Sequence, residues 1–217
     1  GLVSARTDNI NRPIAYNQVG DLNKLPLPDF DDYFDLLQSF SPGSAFFPTI
    51  PLEVSRGCWW QRRSPNKTFS GCAFCNLNMQ WKGYRTKNAC KVVEEIAHFT
   101  SKHRTLSVAF MDNLLPLTES TKIFEQLSET RKDYRFFGEI RADTPRKTLL
   151  TMKKAGVTKV QIGIEALSSR LLNRMNKGTT AIQNIEAMKN CEELGLNNVS
   201  NLILQFPGSD FQDVEET

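Results

Sequence analysis

The sequence predicts an α/β fold, a parallel sheet or open barrel with its helices outside. Three observations lead there. From residue 50 onward apolar residues switch between two-residue spacing, the period of strands, and 3.6-residue spacing, the period of helices. The segments run βαβαβαβα and then β, an order that parallel sheets require. Three successive strands also put polar side chains on one face.

The elements follow in order. Leu25-Pro-Leu-Pro-Asp-Phe-Asp-Asp-Tyr-Phe is an extended lead-in to a short helix over Tyr33–Phe40, within a strap or linker covering residues 1–45. Leu52-Glu-Val-Ser is a short strand that enters a cysteine loop. Val92, Ile96 and Phe99 recur at helical spacing, which predicts a helix over Lys91–Lys102. Leu106, Val108 and Phe110 alternate as a strand ending at Asp112-Asn113. A helix over Thr118–Arg131, a strand over Arg135–Arg141 and a helix with Pro145 in its first turn come next. Val157–Ala166 is a strand, Ser169–Met175 and Ala181–Leu194 are helical, and Asn198–Phe206 is the last strand. A helix-like start follows at Asp210.

Residues two apart on a strand share a face. Glu139 and Arg141 therefore lie together, as do Gln161, Gly163 and Glu165, and Asn201 and Gln205. Val160, Ile162, Ile164, Leu202 and Leu204 take the opposite faces, suited to packing under helices. Leaving the inward polar groups unpaired would cost roughly 1–3 kcal/mol each, and more for charges. Either they pair among themselves or they line a cavity for a polar ligand, with Gly163 leaving space.

Composition excludes several classes. The 217 residues are 40% hydrophobic and 24% charged, ordinary for one well-buried globular unit. A net charge of +3 is too small to argue for nucleic acid. The densest basic group, Arg56, Arg62, Arg63 and Lys67, sits in the cysteine loop, either as a solvated surface or as an attractor of anions. No apolar stretch has membrane-spanning length, the start has no signal-peptide character, and the 5 cysteines are an odd number. The cytoplasm is the expected compartment. A start at Gly1 and an end just inside a helix-like segment read as a piece of a longer chain.

Cys58, Cys72 and Cys75 carry the sharpest chemistry. They lie in Ser55-Arg-Gly-Cys-Trp-Trp and, after a basic loop, Gly71-Cys-Ala-Phe-Cys. The close pair can hold one metal or one edge of a cubane, and Cys58 returns to it across thirteen residues. Three thiolates suggest an iron–sulfur cluster with one iron open. Cys90 offers a fourth sulfur for a zinc knuckle, which stays an alternative. Cys191 reads as helix packing, His98 as surface, and His103 as a favourable charge near a helix end. Trp59 and Trp60 read as packing beside the cluster or as its shield.

These segments resemble the radical S-adenosylmethionine (SAM) superfamily over roughly residues 50 to 217. They look most like the cobalamin-dependent radical SAM C-methyltransferases that mature ribosomally made peptides. The matching runs are the two cysteine segments, Tyr84-Arg-Thr-Lys, Met111-Asp-Asn-Leu-Leu, Val160-Gln-Ile-Gly-Ile-Glu-Ala-Leu-Ser, Met175-Asn-Lys-Gly-Thr-Thr and Asn201-Leu-Ile-Leu-Gln-Phe-Pro-Gly. The lead-in at Leu25–Phe34 resembles the segment that in this family follows a cobalamin-binding domain. The implied fold is a partial (β/α)6 TIM-like barrel over residues 46–217, ending after about its fifth strand.

By resemblance, Cys58, Cys72 and Cys75 ligate a [4Fe-4S] cluster whose open iron takes the amino and carboxylate groups of SAM. Phe74 matches the position along the adenine, and Asp112 and Asn113 match the motif that receives the amino group. Glu139, Arg141, Gln161, Glu165, Asn201 and Gln205 match inward positions facing SAM or substrate. The implied reaction cleaves SAM reductively, takes hydrogen from an unactivated carbon of a peptide, and adds a methyl group from cobalamin. A flavodoxin or ferredoxin would supply electrons, and neither nucleic acid nor membrane would be a partner. A related alternative uses SAM as oxidant or methylthio donor without cobalamin. A zinc-stabilised binding module, with Cys90 indispensable, is the alternative of another class. The resemblance breaks at the thirteen-residue spacer, where three residues are commonest, so the loop from Trp59 to Gly71 needs a job of its own.

Overall fold

The computed structural model describes residues 18–40, 47–60, 62–63, 69–77 and 83–217. Among them the strands are β1 (Ile50–Leu52), β2 (Ser55–Arg56), β3 (Arg62–Arg63), β4 (Phe69–Ser70), β5 (Arg85–Thr86), β6 (Ser107–Phe110), β7 (Arg135–Arg141), β8 (Val157–Gly163) and β9 (Asn197–Val199). The helices are α1 (Asp31–Gln38), α2 (Ala89–His103), α3 (Leu117–Glu129), α4 (Arg146–Ala155), α5 (Ser169–Arg174), α6 (Ala181–Leu194) and α7 (Phe211–Glu216).

β1, β6, β7, β8 and β9 form one sheet in that order, with every adjacent pair parallel. Parallel neighbours need a crossover between them, and α2, α3, α4 and the α5–α6 pair supply it in turn. This is the partial TIM-like barrel expected. Phe110 stacks on Phe136 at 5.5 Å, and Phe124 meets both rings edge-on. Val92, Ile96 and Phe99 of α2 are buried as their spacing requires, and so are Val160, Ile162 and Ile164. A fully buried side chain of this size contributes about 1.5–3 kcal/mol. No described helix is long and apolar enough to cross a membrane.

The lead-in straps onto this core. Leu22 is fully buried, the Asn88 amide donates to Asn23 Oδ1 at 2.8 Å, Lys91 Nζ donates to the Leu25 carbonyl, and Lys102 pairs with Asp31. Residues 1–17 and 41–45 of the expected strap, and Lys67 of the basic group, lie outside the described residues.

Five expectations are corrected. Leu52–Ser55 is not one strand: the chain leaves the main sheet after Leu52, and Ser55–Arg56 pairs antiparallel with β5. Pro145 is the cap of α4, one residue outside its first turn. β8 stops at Gly163, because Ile164 and Ala166 donate to carbonyls only two residues back and Glu165 turns left-handed at φ 62°. The last strand shrinks accordingly to Asn197–Val199, followed by a single bridge between Glu165 and Leu202. In that register Ile203, not its neighbours, packs on Ala166, Leu171, Leu172 and Met175, while Leu202 and Leu204 are 50% and 52% exposed.

Candidate active site

A cavity of about 670 Å³ opens at the carboxyl ends of β7 and β8, where the cysteine loop crosses them. Its size suits a small-molecule ligand. Cys58, Cys72 and Cys75 all line it, together with Phe74, Asn113, Glu139, Arg141, Gln161 and Glu165. Nine of the twelve residues singled out in the sequence therefore meet around one space, although they come from the cysteine loop, the end of β6, β7 and β8.

The loop is organised for its sulfurs. The Cys75 amide donates to the Cys72 carbonyl at 3.0 Å, turning the chain so that both side chains face the cavity. The Trp60 and Leu77 amides approach the sulfurs of Cys58 and Cys75 at 3.4 and 3.5 Å. Burial pushes the thiols of Cys58 and Cys72 upward, and the charges of Arg141 and Lys177 pull them back. Cys90 is exposed on α2 and is absent from the cavity wall. No three Cys, His, Asp or Glu groups among the described residues gather around a point close enough for a single metal ion. Thiols spread along a cavity wall fit a multi-iron cluster, whose metals stand apart, better than one zinc.

The segment Met175–Gly178 fastens the loop, a role sequence reasoning missed. The Ala73 amide donates to the Met175 carbonyl at 2.8 Å, Asn176 Nδ2 donates to the Gly71 carbonyl, and Trp60 Nε1 donates to the Asn176 carbonyl. Gly178, at φ 77°, lies so close that an added Cβ would sit 2.0 Å from the Trp60 ring. The Met-Asn-Lys-Gly run was visible in the sequence, but its glycine reads equally well as an ordinary helix stop.

Two cations organise the floor. Arg141 is buried, donating to Asp143 through Nε and to the Lys177 carbonyl through Nη2. Its guanidinium stands 4.7 Å from the ring centre of Trp60 and 5.3 Å from that of Trp59. The tryptophans thus pack on Arg141 as well as beside the cysteines. Lys177 Nζ reaches Glu165 Oε1 at 2.8 Å and stands 5.7 Å from the centre of the Phe74 ring. The space left by Gly163 goes to Lys177, whose Nζ would lie 2.7 Å from a Cβ there.

Three sequence-singled residues are placed elsewhere. Asp112 is buried beneath the loop. Its carboxylate accepts from the Ser55 hydroxyl and from the backbone amides of Val54 and Ser55. Burial raises it to about 6 against the pull of those donors. It fixes the entry to the cysteine loop and does not line the cavity. Asn201 and Gln205 are exposed and off the cavity wall, because the chain carrying them leaves the sheet after β9. The Glu139 side chain lines the cavity with no hydrogen-bond partner among the described residues, and burial raises its carboxyl.

A parallel half-barrel with three cysteines and two ion-paired cations around a cavity at its strand ends is an α/β protein with room for a small-molecule ligand. Residues 53–217 match the radical SAM superfamily, and the chain is a member of it. An uncharacterized methyltransferase of Pyrococcus horikoshii is 26% identical over 210 residues, covering 95% of this chain and 42% of the relative. The cobalamin-dependent S-adenosylmethionine radical enzyme OxsB, with aqua-cobalamin bound, superposes with a TM-score of 0.74 at 22% identity, covering 92% of this chain and 29% of that one. The radical S-adenosylmethionine methyltransferase TsrM from Kitasatospora setae gives 0.63 at 15% identity, covering 76% and 32%. The chain thus spans less than half the length of these relatives, and the two structural likenesses are likenesses of fold.

Proposed function

We propose that the protein is the core of a radical SAM enzyme that methylates a ribosomally made peptide at an unactivated carbon, with cobalamin as methyl carrier. The observation that carries the enzyme reading is the meeting of Cys58, Cys72 and Cys75 with Glu139, Arg141, Gln161 and Glu165 around one cavity. Methylation and cobalamin rest on the sequence resemblance and on the names of the relatives, and the peptide on the sequence resemblance alone. When bound, the cluster would supply the electron that cleaves SAM.

The chain's own residues supply binding and orientation. Among the described residues Arg141 gives one N–H from Nε and one from Nη2 to protein acceptors, so Nη1 and the second Nη2 hydrogen are left for a ligand carboxylate. Among the described residues the Glu139 carboxyl has no hydrogen-bond partner, and its position suits a ligand ammonium, the role expected of Asp112 and Asn113. Asn113 and Gln161 add uncharged donors and acceptors on the same wall. Phe74 offers an aromatic face for a ring, beside the Lys177 cation. Together these groups would hold a zwitterion with a flat end and exclude water around it.

The test uses the full-length protein purified anaerobically and reconstituted with iron and sulfide. Wild type and Cys90→Ala should be brown, hold iron and release deoxyadenosine from SAM on reduction; Cys72→Ala should do none of the three. A colourless wild type holding one zinc would sink the enzyme reading. Methyl transfer is then tested with SAM labelled in its methyl group, with and without added cobalamin, on candidate peptides. Label that enters peptide equally well without cobalamin refutes the methyl-carrier part alone.

A further inference from the structure

The thirteen-residue spacer between Cys58 and Cys72 sets a geometric problem. A long spacer leaves its flanking cysteines free to drift apart, since loop closure grows only slowly costlier with length. The structure solves it at the neck of the spacer. Beyond Trp60 the chain runs out through β3 and returns through β4, which pair antiparallel as Arg62 with Ser70 and Arg63 with Phe69. It comes back so close that a Cβ on Gly71 would stand 3.2 Å from the Trp60 carbonyl. Trp60 and Gly71 thus form the two sides of one neck, next to Cys58 and Cys72.

One residue outside the loop holds both sides. Trp60 Nε1 donates to the Asn176 carbonyl at 2.8 Å, and Asn176 Nδ2 donates to the Gly71 carbonyl at 2.8 Å. Asn176 reaches both because its backbone is left-handed, at φ 52°, a conformation that Asn tolerates better than most residues. The adjoining Met175 carbonyl takes the Ala73 amide, inside the cysteine pair, and Gly178 receives the Trp60 ring.

We infer that Asn176 is a positioning residue for the cluster: it clamps the neck of the inserted hairpin so that Cys58 stays in register with Cys72 and Cys75. This rests on the cluster reading above. The clamp also makes cysteine spacing independent of the hairpin's length, which accounts for a spacer far longer than the three residues commonest among radical SAM proteins.

The test uses the full-length protein, reconstituted with iron and sulfide, in two variants. Asn176→Gly keeps the left-handed backbone and the carbonyl, removing only the donor to Gly71. Trp60→Phe removes the donor to Asn176 together with the outer indole ring that lies against Gly178 and beside Arg141, so it releases the whole Trp60 side of the neck. Asn176→Gly should lose iron to a chelator about three- to tenfold faster than wild type, the effect of one net hydrogen bond, and Trp60→Phe at least as fast. The electron paramagnetic resonance signal of the reduced cluster should broaden or split in each. In Asn176→Gly the melting temperature of the iron-free protein should stay within about 2 °C of wild type, because the lost bond joins loops rather than core. The double variant should lose iron more slowly than the product of the single effects predicts, since either break opens the same neck. Wild-type loss rates and signals in both variants would overturn the clamp. A wild type that takes up no iron would instead overturn the cluster reading. If Asn176→Gly fails to accumulate, the Trp60→Phe comparison decides alone.

Discussion

Lys177→Met tests whether the Glu165–Lys177 pair is a structural element of the cavity floor. The nitrogen–oxygen distance is 2.8 Å and the side chains are 8% and 14% exposed. At an effective dielectric of 20 the bare attraction is about 6 kcal/mol, most of it offset by the desolvation of both groups. Removing one partner leaves the other's charge buried, which costs about 3–5 kcal/mol in fully enclosed pairs. Glu165 opens on the cavity, so about 3 kcal/mol is expected for Lys177→Met. For a chain of this size that is a fall in melting temperature of about 6–12 °C. Glu165→Gln should cost less, and the double variant should recover at least about 1.5 kcal/mol relative to the sum. Urea unfolding of the four proteins at pH 7 measures this. A loss under about 0.5 kcal/mol for Lys177→Met, or strict additivity, would show that the pair is solvated and that Lys177 is free to turn to a ligand.

Three other outcomes follow from the same geometry. Asp112, raised from 3.8 to about 6, holds its proton more tightly folded than unfolded. Its contribution is therefore full below about pH 4, falls by up to about 3 kcal/mol as pH rises to about 6, and is flat above. Unfolding free energies of wild type and Asp112→Asn across that window should diverge, whereas parallel curves would refute the shift. Arg141→Lys loses the fork that meets Asp143 and the Lys177 carbonyl, and the flat face against Trp59 and Trp60. It should cost about 2 kcal/mol by thermal unfolding, and an unchanged melting temperature would reduce Arg141 to a point charge. Gly156→Ala places a Cβ 2.2 Å from the Tyr134 carbonyl oxygen at φ 104°, so at least about 3 kcal/mol should be lost, read as soluble yield and urea midpoint.

What could be read in advance was what local periodicity controls. β7 and α6 have the predicted bounds, because β7 alternates along its length and α6 runs from a capping box at Thr180 to a left-handed stop at Gly195. The cysteines and the inward faces of β7 and β8 followed from spacing and pleat. Asn201 and Gln205 were misplaced for a tertiary reason: the pleat continues on paper through Ile164–Ala166, but the backbone there bonds to itself and swings left at Glu165, ending the ladder. Asp112 looked like a ligand-binding carboxylate because its place at a strand end is right. Only the fold shows three donors from residues 54 and 55 already on it, contributed across a sequence distance that no window covers.

The same limit explains why the loop's fastening went unseen. Asn176 is more than a hundred positions from both Trp60 and Gly71. Its carbonyl and amide act together because α5 ends where the cysteine loop crosses β7 and β8. Lys177, the next residue, meets Glu165 on one side and gives its carbonyl to Arg141 on the other. A single short turn therefore ties the neck of the hairpin to both cations of the cavity floor. Movement of Arg141 or Glu165 on binding a ligand would be felt at Trp60 and Gly71 through one peptide unit, and hence at the cysteines beside them. If the turn is a shared support of this kind, Lys177→Met and Asn176→Gly should be non-additive in the rate of iron loss. Additive effects would mean that floor and neck are held separately.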